Sequence, residues 1–133
     1  MFVSITRLRL RSWRFFPAFA IAAFRADRQA RRSAGNVATD LLRDRYGAYW
    51  TRTLWRDEAS MRAYMLAGAH RQVMPKLLDW CDEASVVHWE QEASALPDWE
   101  EAHRRLVLQG RRSKVRHPSA AHDTLDFPAP VPR

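Results

Sequence analysis

A chain of 133 residues, 47% hydrophobic and 28% charged, has the size of one domain with one modest core, and it holds no apolar run long enough to span a membrane. Its formal charge of +7 comes from 20 arginines and 2 lysines against 15 acids. The arginines are dispersed, however, and no zinc-finger spacing, glycine-rich clamp or RNA-binding aromatic pair accompanies them, so nucleic-acid recognition is not expected. With Cys81 as the single cysteine, neither an intramolecular disulfide nor a cysteine-based metal cluster is expected.

Residues 2 to 10 alternate, with Phe2, Ser4, Thr6, Leu8 and Leu10 on one face and Val3, Ile5, Arg7 and Arg9 on the other. That period of two predicts a strand. Phe16, Phe19, Ala20, Ala23 and Phe24 then recur at helical spacing, and Pro17 suits the first turn, where its missing N–H costs nothing. The run FFPAFAIAAF is short, contains proline and precedes Arg25 and Arg28, so it is not a signal peptide, and a cytoplasmic location is expected. NVATDLLR (36–43) and AYWTRTLW (48–55) read as two strands joined by the turn DRYG. Tyr49, Thr51, Thr53 and Trp55 share one face of the second.

Asp57 is placed to cap a helix over about 58–67, whose apolar stripe runs through Met61, Tyr64 and Met65. Gly68 and Pro75 predict a kinked or restarted segment ending near Trp80. Asp82 and Glu83 read as a polar turn, and ASVVHWEQ (84–91) as the last core strand. Beyond it, DWEEAHRRLVLQ (98–109) predicts a short helix capped by Asp98, with Glu101 completing a capping box. GRRSKVRHPS reads as a basic loop, and the proline-rich end as extended or disordered.

The order β-α-β-β-α-β predicts an α+β, ferredoxin-like core over residues 1–91, with a C-terminal extension over 92–133 made of a short helix and a tail. Two helices cover one face of the sheet. The other face is apolar as well, so a homodimer formed through it is expected.

LWRDEASMRAYM, GAHRQVM and LLDWCDEA resemble the dimeric α+β barrel superfamily, which includes antibiotic-biosynthesis and haem-degrading monooxygenases, and within it a bacterial group with a domain of unknown function. The resemblance implies a homodimer and a pocket between sheet and helices. The haem-degrading members use a strand asparagine, a tryptophan within the second helix, and an iron-binding histidine ten positions later. Counted from Trp55, the last two positions fall here on Tyr64 and Met74, while Asn36 lies on a different strand. The haem site does not carry across, and the cofactor is left open.

His70, at the helix break after Gly68, and His88, on the last strand, are the candidate catalytic residues, since a near-neutral imidazole suits proton transfer. Tyr49, Trp55, Tyr64 and Met74 are expected to wall a pocket for an aromatic or polycyclic substrate, and Arg52 either to bind its carboxylate or to pair with Asp40 across the hairpin. Cys81 reads as a small buried hydrophobe. No metal site is expected. Two functions follow: a monooxygenase-like oxidoreductase in which His70 acts as base, or a non-catalytic ligand-binding or structural homodimer, with nucleic-acid binding by the arginines a more distant third.

Overall fold

The computed structural model describes all residues, Met1–Arg133. Strands β1 (Phe2–Leu10), β2 (Asn36–Arg43), β3 (Ala48–Trp55), β4 (Cys81–Glu90) and the short β5 (Arg111–Arg112) form one antiparallel sheet in the order β2-β3-β1-β4-β5. Helices α1 (Phe16–Arg32), α2 (Glu58–Met65) and α3 (Gly68–Trp80) pack on one face, giving the expected α+β, ferredoxin-like arrangement. Helix α4 (Trp99–Gln109) and the short α5 (Ala120–Thr124) follow. No helix is long and apolar enough to cross a membrane.

Local chemistry explains the boundaries. Asp57 accepts a hydrogen bond from Ser60 N–H at 2.8 Å, and Asp98 one from Glu101 N–H at 2.8 Å, so both N-termini are capped as the sequence predicts. The helix after β3 breaks at Gly68, which adopts φ +55, a value glycine takes without steric cost. Pro75 does not interrupt α3. It sits on the exposed side of the helix, where the carbonyl that loses its donor can turn to water.

Three expectations are corrected. Asp82 and Glu83 form no turn: α3 runs directly into β4 at Cys81, and Glu83 is drawn into the strand by a buried ion pair with Arg7. The basic loop contributes β5, which pairs Arg111 with Val86 and Arg112 with Ser85. The tail runs extended after α5 but packs on the domain: Phe127 is buried, His122 is buried and accepts a hydrogen bond from Ala84 N–H, and the last residues bond to the β2–β3 turn.

That tail settles the second sheet face. Val3, Ile5, Trp50, Leu54, Val87 and Trp89 form a cluster with Ala102 and Leu106 of α4 and with Phe127. The face expected to await a second copy is covered within the chain by its own C-terminal extension, because α4 presents the apolar side that a bare sheet requires.

Candidate active site

The sheet face under α1–α3 carries a different chemistry. Strand register sets its residues in rows: Thr39, Thr53, Ser4 and His88 in one, Leu41, Thr51, Thr6 and Val86 in the next, and Arg43, Tyr49, Leu8 and Ala84 in the third. Above this floor lies a cavity of about 190 Å³, roofed by Phe19, Ala23 and Ala26 of α1, Tyr64 of α2 and His70, Val73 and Met74 of α3. The lining is mainly apolar. An apolar cavity of roughly 150 Å³ holds a benzene ring, whereas sites for drug-sized ligands run to roughly 300–1,000 Å³. The space therefore suits one or two aromatic rings and not a haem.

His70 and His88, 18 residues apart in sequence, line this one cavity. The His70 Nδ1 lies 3.1 Å from the Met65 carbonyl, which can only accept, so Nδ1 carries the proton and Nε2 keeps its lone pair. Gln29 of α1 holds the loop that presents it: its side-chain amide donates to the carbonyls of Tyr64 at 3.1 Å and Ala67 at 2.8 Å, and its oxygen accepts from His70 N–H at 2.8 Å. A Cβ on Gly68 would stand 3.3 Å from this Gln29 side chain, a second reason for glycine at the break. His88 is held by the sheet, beside Phe2 with 5.7 Å between ring centroids. Its Nε2 is buried without any hydrogen-bond partner. A buried, unpaired imidazole nitrogen is costly and rare, and it belongs here to a residue that lines the cavity.

Burial lowers both imidazole pKa values, against the hydrogen bond to Met65 at His70, and with help from Arg111 and Arg62 at His88. Both rings therefore favour the neutral form at pH 7. The linkage follows in sign: an unfolded histidine takes up a proton below its usual value near 6.5, which the folded chain resists, so the folded state loses stability as pH falls below about 6.5. Urea unfolding at stepwise lower pH should show that decline, and it should be shallower in the His70→Gln/His88→Gln double variant.

Tyr49, Tyr64 and Met74 line the cavity. Trp55 does not. It is fully buried among Phe2, Ala30 and Met61, donates to Thr53 Oγ1 at 2.9 Å, and backs the Tyr64 ring at 5.2 Å. Arg52 lies on the opposite face, where it makes the second of its two expected contacts: it pairs with Asp40 at 2.6 Å, and it also donates to the Pro97 carbonyl and lies over the Trp99 ring. Cys81 is fully buried and its thiol is pushed up to about 12 by that burial, so it is no nucleophile. No three His, Cys, Asp or Glu side chains are placed to hold a metal ion.

Sequence reasoning missed two features. The hydroxyls of Ser4, Thr6, Thr51 and Thr53 were visible as polar residues at every second position on a face that should be apolar. Gln29 left no signal, because its partners lie 35 to 41 residues away.

The family profile described as Domain of unknown function (DUF3291) matches residues 21–116, from within α1 past α4 and β5. This chain belongs to the DUF3291 family. No curated protein matches it. Among solved structures, it is similar to an antibiotic biosynthesis monooxygenase at 14% identity and TM-score 0.62, over 70% of this chain and 100% of the other. It is also similar to a variant of SnoaB, a cofactor-independent oxygenase from Streptomyces nogalater, at 19% identity and TM-score 0.55, over 73% and 97%. A third is a protein of unknown function from Nitrosomonas europaea, at 18% and 0.59, over 73% and 94%. At these identities the likeness shows a shared fold. The DUF3291 chain thus has the monooxygenase-type ferredoxin-like fold, with residues beyond the shared core spent on covering its second sheet face.

Proposed function

We propose that this DUF3291 chain is a small oxygenase that acts on a one- or two-ring phenol or enol, using molecular oxygen directly. The observation that carries the reading is that one apolar cavity is lined by both His70, whose Nε2 keeps its lone pair, and His88, whose Nε2 has no hydrogen-bond partner. The fold shared with a cofactor-independent oxygenase supports it.

The chemistry asks little of the protein beyond a base, a polar contact and exclusion of water. His70 Nε2 removes the phenolic proton, and the His88 imidazole hydrogen-bonds the oxygen that becomes negative. The phenolate's electrons delocalise to the para carbon. One electron passes to oxygen, and the radical pair, held in the dry cavity, joins through a new carbon–oxygen bond to give a peroxide. Loss of the ring hydrogen as a proton with cleavage of the O–O bond leaves a quinone and releases the other oxygen atom as water. For 1-naphthol the balance is one naphthol and one oxygen molecule to one 1,4-naphthoquinone and one water.

Oxygen uptake with 1-naphthol tests this. One naphthoquinone per oxygen consumed, with no hydrogen peroxide released, supports the oxygenase. Saturable 1-naphthol binding without oxygen uptake overturns it in favour of a non-catalytic binding protein.

A further inference from the structure

Tyr49 belongs to two spaces at once. It lines the cavity, which is itself partly open beside the exposed Leu41, and also a surface cleft shared with Ser12, Trp13, Phe16, Pro17 and Arg43. The ring is held by aromatic packing, at 4.7 Å from Phe19 and 6.4 Å from Phe16 between centroids. On the outer side, Trp13 is 85% exposed. The Arg43 guanidinium lies 5.3 Å from the Phe16 ring and 5.6 Å from the Tyr49 ring and has no carboxylate partner. An exposed tryptophan beside a cation already resting on aromatic faces suits a planar ring that carries negative charge.

We propose that this cleft is an entrance to the cavity, that Tyr49 is its door, and that Arg43 draws in aromatic substrates that carry an anionic group besides the phenol. The proposal rests on the cavity being the substrate site. Register places Arg43 and His88 at opposite corners of the floor, four residues apart along the strands and three strand spacings across. That is roughly 14 Å in each direction and about 20 Å on the diagonal. A one- or two-ring ligand seated at His88 therefore does not reach Arg43. The arginine acts on association and leaves the final pose alone, and a group that stabilises only the passage changes the on-rate and off-rate together. Steering over this distance is screened at physiological salt, so the effect grows as salt is lowered.

The test is stopped-flow binding of 1-naphthoate and of its neutral counterpart 1-naphthamide, at low salt, to the full chain and to three variants. Arg43→Gln should slow 1-naphthoate association by about 3- to 10-fold with little change in Kd, and leave 1-naphthamide untouched. Tyr49→Ala should speed entry of both. Ala26→Phe, which fills the cavity roof, should abolish binding of both. Equal effects of Arg43→Gln on the two ligands overturn the anion entrance while leaving the cavity reading intact. So does 1-naphthoate binding that survives Ala26→Phe but loses affinity in Arg43→Gln, which would make the cleft a separate site. If 1-naphthamide binds and 1-naphthoate does not, the preference for anions is wrong. Failure of both to bind the unaltered chain overturns this proposal, and the cavity reading falls with it if 1-naphthol fails to bind as well.

Discussion

Replacing His70 by glutamine should lower 1-naphthol turnover by about 10²- to 10⁴-fold, the usual worth of a positioned general base. Glutamine keeps a polar side chain of similar reach at the helix break, where the Met65 carbonyl fixes the imidazole tautomer. What it cannot do is accept a proton at neutral pH. The loss should fall on kcat, since glutamine fills much the same part of the cavity wall. His88→Leu should differ: it removes the proposed hydrogen-bond partner of the substrate oxygen and should raise KM as well as lower kcat. The pH profile separates catalysis from packing. Burial depresses the His70 pKa, so kcat/KM should fall only below pH 6.5, with the inflection at the lowered pKa and absent from the His70→Gln profile. Two variants with equal losses and unchanged pH profiles would show that neither histidine moves a proton.

Replacing Glu83 by alanine should destabilise the fold by about 3–5 kcal/mol, measured by urea unfolding, because it strands a buried guanidinium. Arg7 is 3% exposed and Glu83 4%, and their contact is 2.8 Å. Glu83 also receives Arg9 at 2.8 Å, while Arg9 reaches Asp82 at 3.3 Å. Burial alone would raise the Glu83 pKa, yet hydrogen bonds from both arginines outweigh it and hold the carboxyl below its usual range. Its contribution is therefore present above the usual carboxylate pKa and is lost as pH falls through the lowered value, a more acidic window than that of the two histidines. The Arg7 guanidinium lies 4.0 Å from the Phe127 ring, so the pair also seats the C-terminal extension. An Arg7→Met/Glu83→Leu double variant should recover most of the stability, since apolar side chains of similar volume carry no desolvation cost. Equal losses in the single and double variants would mean that packing volume, not charge, is at stake.

The elements of this fold were legible because their signals are local. Period two in β1 and β3, the caps Asp57 and Asp98, and the break at Gly68 each lie within a few residues of the structure they set. The order of elements then left few topologies, and the sheet order β2-β3-β1-β4 is the one that β-α-β-β-α-β implies. Alternation also separated Arg52 and Trp50 from Tyr49 and Thr51, and it placed Ser4 and Thr6 together.

What only the tertiary structure decided were meetings between distant segments. Asp82 and Glu83 look like a turn until Arg7 and Arg9, more than 70 residues away, supply the charge that makes a buried strand position tolerable. Phe127 looks like part of a loose tail until the apolar face of Val3, Ile5 and Trp50 gives it somewhere to bury. The same holds for the site. His70 and His88 were recognisable by residue type, but their common cavity, the tautomer set by Met65 and the unpaired Nε2 depend on how α3 lies across β4. A sequence carries each side chain's chemistry and its local spacing, whereas desolvation and partnership, which decide whether that chemistry is used, are properties of the packed chain.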